Sequence, residues 1–208
     1  MKTDLFDFHL PQAQIAQQPP EQREQARLLH VFETGCRDHQ VLDLAEHFTP
    51  GEVLVFNDTR VIPARLYARG VALQESASPG TAFEILLHKP EGPLCWRAFV
   101  KPARKLRPGQ RLLIAATTQP PEAPPLHTSL TLHATLIARH DQGECSLRFD
   151  GDEPHFRAAL QALGQVPLPP YIARPHGAAP EDGERYQTVY AARDGSVAAP
   201  TAGLHFTW

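Results

Sequence analysis

Several things are scarce in this chain, and each scarcity excludes something. There are only 3 cysteines in 208 residues. Cys36, Cys95 and Cys145 are odd in number, far apart and never in C-x-x-C spacing, so a disulfide framework or a cysteine-rich zinc site is not expected. Basic excess is missing too: the formal charge is −3 and the isoelectric point about 6.4. A protein that coats nucleic acid by bulk charge would be strongly cationic. No run approaches the roughly 18 apolar residues of a membrane helix. The start, MKTDLFDFHLPQ, carries acids where a signal peptide needs an apolar core. A cytoplasmic protein is expected. No G-x-S-x-G elbow and no phosphate-binding loop occurs. The 11 histidines show neither H-x-x-x-H nor H-E-x-x-H spacing, so no metal site is expected.

Proline, in contrast, is plentiful at 21 residues. Proline fixes its own φ and disfavours helix at the residue before it, so long helices should be few. Leu28–Phe32 reads as a strand and DHQVLDLAEHFTPGE as a short helix, with Leu42, Ala45 and Phe48 on one face. Val53-Leu54-Val55-Phe56 is a continuous apolar run of β-formers, the pattern of a strand buried on both faces. It leads into polar Asn57-Asp58-Thr59-Arg60. Polar groups just past a buried strand suit a ligand, and equally suit an Asx turn that only reverses the chain.

From about 61 to 150 the texture changes. VIPARLYARG, AFEILLHKP, CWRAFVKP, QRLLIAA, SLTLHATLIARH and GECSLRFDG are six short alternating segments separated by turns, as in a small barrel or sandwich. Leu132, Ala134, Leu136 and Ala138 point one way, and Thr131, His133, Thr135 and Ile137 the other. The proline-rich stretch 117–125 reads as a surface loop. DEPHFRAALQALG then predicts a helix capped by Asp152, with Pro154 in its first turn, Gly164 at its end and Phe156, Leu160 and Leu163 on one stripe. The organisation is a mixed α/β main domain, 1–65 and 152–208, interrupted by a β-barrel-like insert, 66–151.

Two constellations carry chemistry. No acid lies between Glu91 and Glu122, and Arg97, Lys101, Arg104, Lys105, Arg107 and Arg111 share that region with Trp96 and Phe99. Such a segment can touch phosphates and stack on bases, or it can be a solvated hairpin whose arginines pair with acids elsewhere. The flanks supply Arg23, Arg27, Asn57, Asp58, Thr59, Arg60, Arg65, Tyr171, Tyr186, Gln187, Tyr190, Thr201 and His205. His205 suits a general acid or base by its reference pKa near 6.5, or a structural hydrogen bond. The N–H groups of Thr201, Ala202 and Gly203 would hold an anion if a helix began there.

FDFHLPQAQIAQQP, REQARLL, PGEVLVFNDTRVIPARL, PLPPYIAR, ERYQTVYA and VAAPTAGLHF, in this order, resemble the S-adenosylmethionine:tRNA ribosyltransferase-isomerase family of queuosine biosynthesis. The resemblance runs from the first ten residues to the last ten. It implies a mixed α/β domain with an inserted β-barrel. It also implies transfer and isomerisation of the ribosyl part of S-adenosylmethionine onto 7-aminomethyl-7-deazaguanine in tRNA. The products would be epoxyqueuosine-tRNA, adenine and methionine. S-adenosylmethionine is consumed as a substrate, and no metal or other cofactor is implied. The expected partners are the tRNA and S-adenosylmethionine, with no membrane, and the chain is expected to be monomeric.

That reaction needs a base for a proton acidified by the sulfonium, donors for departing adenine, and cations for carboxylate and phosphates. Asp58 and His205 are the expected proton carriers. Arg60 and Arg65 would hold anions, and Tyr171, Tyr186 and Tyr190 would stack on a base or donate to it. Arg23, Arg27, Asn57, Thr59, Gln187 and the Thr201–Gly203 turn complete the expected substrate site. Arg97, Lys101, Arg104, Lys105 and Arg107 are expected to meet tRNA. The family continues past APTAGLHF through LHVG.GTF-like and GTTS.R-like stretches, and neither occurs here. The expectation is a chain that stops inside its catalytic domain, with exposed apolar surface, unpaired sheet edges and lower stability than the complete protein. A chain that grips tRNA without turnover is the alternative.

Overall fold

The structure, a computed structural model, describes residues 2–71, 80–123, 125–174 and 178–208. It divides into two compact units, 55–168 with 174–204, and 1–54 with 169–173 and 205–208.

In the smaller unit, β1 (Arg27–Phe32) and β2 (Gly35–Gln40) form an antiparallel hairpin. A 3₁₀ helix, Val41–His47, follows. Asp43 accepts a hydrogen bond from the Gln40 N–H at 2.8 Å and so fixes its start. The expected helix is therefore the tighter i→i+3 form, and its apolar stripe is not buried: Leu42 and Phe48 are both exposed.

Val53–Phe56 overturns the expectation of a strand buried on both faces. The run forms no strand, and Val53 and Val55 are 84% and 90% exposed. A strand needs neighbours to take its N–H and C=O groups and to cover its faces. Among the described residues, no strand ladder includes this run.

The larger unit begins with β3 (Thr59–Val61). Its body is a closed barrel of β4 (Arg65–Gly70), β5 (Ala82–Gly92), β6 (Cys95–Lys101), β7 (Arg111–Ala115), β8 (Thr131–Arg139) and β9 (Glu144–Phe149). The order around it is β4-β5-β6-β9-β8-β7, with every neighbouring pair antiparallel. These are the six alternating segments of the sequence. Alternation sends one side chain in two inward, and closure leaves no open edge. Leu66, Ile85, Leu87, Leu112, Ile114, Leu136 and Leu147 are fully buried inside. Ala138 leaves the inward set because a bulge interrupts the β8–β9 register between Leu136 and Ala138. The proline-rich loop starts less exposed than expected. Thr118 is buried, and its hydroxyl donates to the Tyr67 carbonyl at 2.6 Å.

Helix α1 (Glu153–Leu163) starts where Asp152 accepts the His155 N–H at 2.9 Å. Its buried stripe, Phe156, Ala159, Leu160 and Leu163, joins the barrel's core. Phe156 lies 4.8 Å from the Phe149 ring. Gly164 ends the helix against the chain at Pro63. A Cβ there would sit 2.0 Å from the Pro63 carbonyl oxygen, so only glycine fits. After a short helix α2 (Asp182–Arg185), β10 (Arg193–Ser196) pairs in parallel with β3.

Candidate functional site

The polar run after Val53–Phe56 is shaped by local bonds. Asn57 Oδ1 accepts the Thr59 N–H at 3.0 Å, which turns the chain into β3. The Asp58 carbonyl accepts from Ala192 N–H at 2.8 Å and Arg193 N–H at 3.2 Å. These bonds set residues 57–60 beside 191–194. The Asp58 carboxylate stays half exposed, with Arg193 Nε 3.4 Å away. Arg60 donates from Nη2 to the Ala191 carbonyl at 2.8 Å, and its Nε lies 3.8 Å from Asp194. Its side chain remains 51% exposed, so the guanidinium is steered rather than hidden.

Gln187 locks onto β3 like an extra strand. Its Oε1 accepts the Val61 N–H at 2.9 Å and its Nε2 donates to the Val61 carbonyl at 2.7 Å. Both amide groups are thereby engaged with backbone. Tyr186 is buried in a small cluster with Val61 and Ala199, against which Val166, Leu168 and Leu204 pack. Its ring serves as packing here. Tyr190 meets Phe56 edge-on at 5.1 Å. Burial pushes its phenol pKa up, which keeps it a neutral donor.

Gly203 lies under Tyr190. A Cβ on it would come within 2.2 Å of the phenol oxygen and 3.0 Å of Thr188 Cγ2. Thr201–Gly203 is a single 3₁₀ turn, not the start of a longer helix, and the Gly203 N–H is given to the Pro200 carbonyl at 2.7 Å. The expected stack of N–H groups is therefore not built there. The larger unit thus assembles Asn57, Asp58, Thr59, Arg60, Gln187, Tyr186 and Tyr190 around the β3–β10 pair, with the Thr201–Gly203 turn under Tyr190. Arg65 lies at the start of β4, 3.3 Å from Glu84. Arg23, Arg27, Tyr171 and His205 belong to the smaller unit. There, Arg27 opens β1 and the Tyr171 carbonyl accepts from Gln17 at 3.0 Å.

The basic segment divides. Arg97 is committed to acids, with Nε 2.7 Å from Glu91 and Nη1 2.5 Å from Glu144. The hydrogen bonds from Arg97 hold both carboxyls below their usual range. Arg111 pairs with Asp150 at 2.6 Å. Lys101, the last residue of β6, and Arg104, Lys105 and Arg107, in and just past the turn that follows it, are exposed. The solvated-hairpin reading thus describes Arg97 and Arg111, and the phosphate reading rests on the other four.

Two features escape sequence reasoning. Arg174, inside PLPPYIAR, grips Asp182 with two bonds, Nε to Oδ2 at 2.9 Å and Nη2 to Oδ1 at 2.8 Å. Asp182 Oδ2 also accepts the Ala179 N–H at 2.7 Å. Burial alone would raise this carboxyl, but the Arg174 and Ala179 bonds outweigh it and the net shift is downward. Second, a cleft of about 600 Å³ lies beside α1, walled by Trp96, Phe156, Arg157 and Asp194 among others. None of the residues expected to bind substrate lines it.

The sequence matches the profile of a family described as queuosine biosynthesis protein over residues 3–208. It is 48% identical over 207 residues to an S-adenosylmethionine:tRNA ribosyltransferase-isomerase of Rhodospirillum rubrum, covering 100% of this chain and 53% of the relative. A relative of the same name in Methylobacterium sp. (strain 4-46) is 47% identical, with 100% and 56% covered. The chain spans about half the length of the curated relatives it matches. A crystal structure of an S-adenosylmethionine tRNA ribosyltransferase from Thermotoga maritima aligns with 80% of this chain and 52% of its own, at 28% identity and a TM-score of 0.32.

Proposed function

Because the chain belongs to the queuosine biosynthesis protein family, we propose that it carries part or all of an S-adenosylmethionine:tRNA ribosyltransferase-isomerase. It would take the ribosyl group of S-adenosylmethionine to 7-aminomethyl-7-deazaguanine in tRNA and release adenine and methionine. The observation that carries this reading is the match along nearly the whole chain, with Asn57, Asp58, Arg60 and Gln187 brought together at β3 and β10. Packing alone does not demand Asn, Asp and Arg at half-exposed positions.

Each group has a chemical task in this reading. Asp58 or His205 removes the proton next to the sulfonium. Arg60, already steered by Ala191 and Asp194, meets the methionyl carboxylate or a phosphate. Tyr190, kept neutral, donates to a ring nitrogen of the departing adenine. Lys101, Arg104, Lys105 and Arg107 meet the tRNA backbone, so tRNA affinity should fall steeply with salt. The chain would act in the cytoplasm as a monomer, with S-adenosylmethionine consumed rather than retained.

One alternative is a tRNA-binding module without turnover, which the four exposed cations Lys101, Arg104, Lys105 and Arg107 would serve. Adenine release separates the two. The purified chain, S-adenosylmethionine and tRNA bearing 7-aminomethyl-7-deazaguanine should yield adenine, by chromatography, only when that tRNA is present. Asp58→Asn or His205→Ala should then cut turnover by at least about 100-fold, the lower range for a general acid–base group. Near-wild-type rates for both variants would sink the proton-transfer assignment. No release beside an active full-length relative, with tRNA still bound, would select the binding module.

A further inference from the structure

Three histidines that are far apart in their sequence spacing meet in the smaller unit. His30 lies on β1, His39 on β2 and His47 at the end of the 3₁₀ helix. The register explains the first two. His39 is opposite Leu28 and His30 is opposite Arg37, so the two histidines are diagonal neighbours on one face of the hairpin. The 3₁₀ helix then returns the chain to that face. The His47 ring lies 4.7 Å from each of the other two, and His30 and His39 are 6.0 Å apart.

One nitrogen from each ring lies within 4.8 Å of one nitrogen from each of the others. On a tetrahedral zinc ion with Zn–N bonds of about 2.0–2.1 Å, ligand nitrogens stand about 3.3 Å apart. The three rings would therefore draw closer on taking up the ion. A second observation points the same way. His39 Nε2 is buried and has no hydrogen-bond partner. A buried polar atom without a partner is costly, and a metal bond removes that cost. The neighbouring cation, Arg37, lies over the Phe32 ring at 5.6 Å.

We propose that His30, His39 and His47 form a binding site for one late first-row divalent ion, with zinc as the occupant. Imidazole nitrogens favour such ions over magnesium or calcium, which prefer oxygen ligands. Three protein nitrogens leave the fourth position to water. Each ligand comes from a different element, so the ion ties β1, β2 and the 3₁₀ helix together. A small unit with little buried apolar surface gains order from such a tie. The test of this site does not depend on turnover.

The test is zinc titration of the metal-stripped chain by calorimetry, paired with cobalt(II) substitution followed by visible absorption. Wild type should take one ion per chain and give the intense d–d bands of a low-coordinate cobalt site. His39→Gln and His47→Gln should each lose that ion, whereas His127→Gln and Cys36→Ser should retain it. Carbethoxylation of wild type, mapped by mass spectrometry, guards against misfolded variants. Zinc should protect His30, His39 and His47 and leave His127 reactive. No stoichiometric binding by wild type would overturn the proposal. So would binding that survives both histidine variants, or zinc protection that falls on other histidines.

Discussion

The barrel of the larger unit and the hairpin of the smaller one are both antiparallel β-structure, yet they are held in different ways. Every barrel strand has two neighbours and an inner face filled with Leu, Ile, Val, Phe and Ala. Among the described residues, the hairpin is a single pair of strands with no third strand at either edge. Among the described residues of the smaller unit, only Ala26 is buried, while Leu29, Val31 and Leu42 are exposed. A lone two-stranded hairpin is marginal in water, whereas a closed and filled barrel is not. The contrast teaches that alternation alone does not make a stable sheet. Closure and a filled interior do.

The largest expected effect lies in the barrel core. Leu147→Ala should cost about 4 kcal/mol in urea unfolding, because the side chain is fully buried and its neighbours cannot collapse into the gap. A cost below about 1 kcal/mol would mean that the barrel is far softer than its packing implies. Next comes the buried ion pair of the larger unit. Arg174→Ala leaves Asp182 without its main partner and should cost about 3 kcal/mol.

The same pair predicts a pH dependence. Asp182 has a lowered pKa in the folded state, so its stabilisation is fully present above the ordinary aspartate value of about 3.9. It is lost as pH falls through the lowered folded value. Asp182→Asn should therefore flatten the acid limb of stability. An unchanged limb would assign acid sensitivity to other groups.

Gly203→Ala should cost about 1–3 kcal/mol, because the new methyl collides with Tyr190. Tyr190→Phe in the same chain removes the oxygen and should recover part of that loss. A cycle with no recovery would place the strain elsewhere. The smallest effect is expected in the hairpin: Val31→Thr, at an exposed position, should stay within about 0.5 kcal/mol. A loss above 1 kcal/mol there would show that the hairpin is as tightly held as the barrel and would end the comparison.

The candidate site was partly legible for a definable reason. Asn57-Asp58-Thr59-Arg60 stood out because four polar side chains follow an apolar run. Their partners at 191–194 were invisible, since those contacts are made by backbone groups of Ala191, Ala192 and Arg193 and by the charges of Arg193 and Asp194, far along the chain. Tyr186 and Tyr190 looked equivalent as phenols. The fold buries one among Val61 and Ala199 and sets the other against Gly203. Arg97 looked like a phosphate ligand because its acids, Glu91 and Glu144, lie on neighbouring strands rather than next to it in sequence.

By itself the sequence determined the six barrel strands, the capped helix α1 and the family. These rest on local periodicity, on a cap three residues from its partner, and on ordered motifs. Only the tertiary structure decided that Val53–Phe56 stays exposed, that Arg174 holds Asp182, and that His30, His39 and His47 meet. Periodicity records which faces of a segment are apolar. Which neighbour arrives to cover a face, or which charge arrives to pair, depends on strand register and chain return, and those are settled by the whole fold.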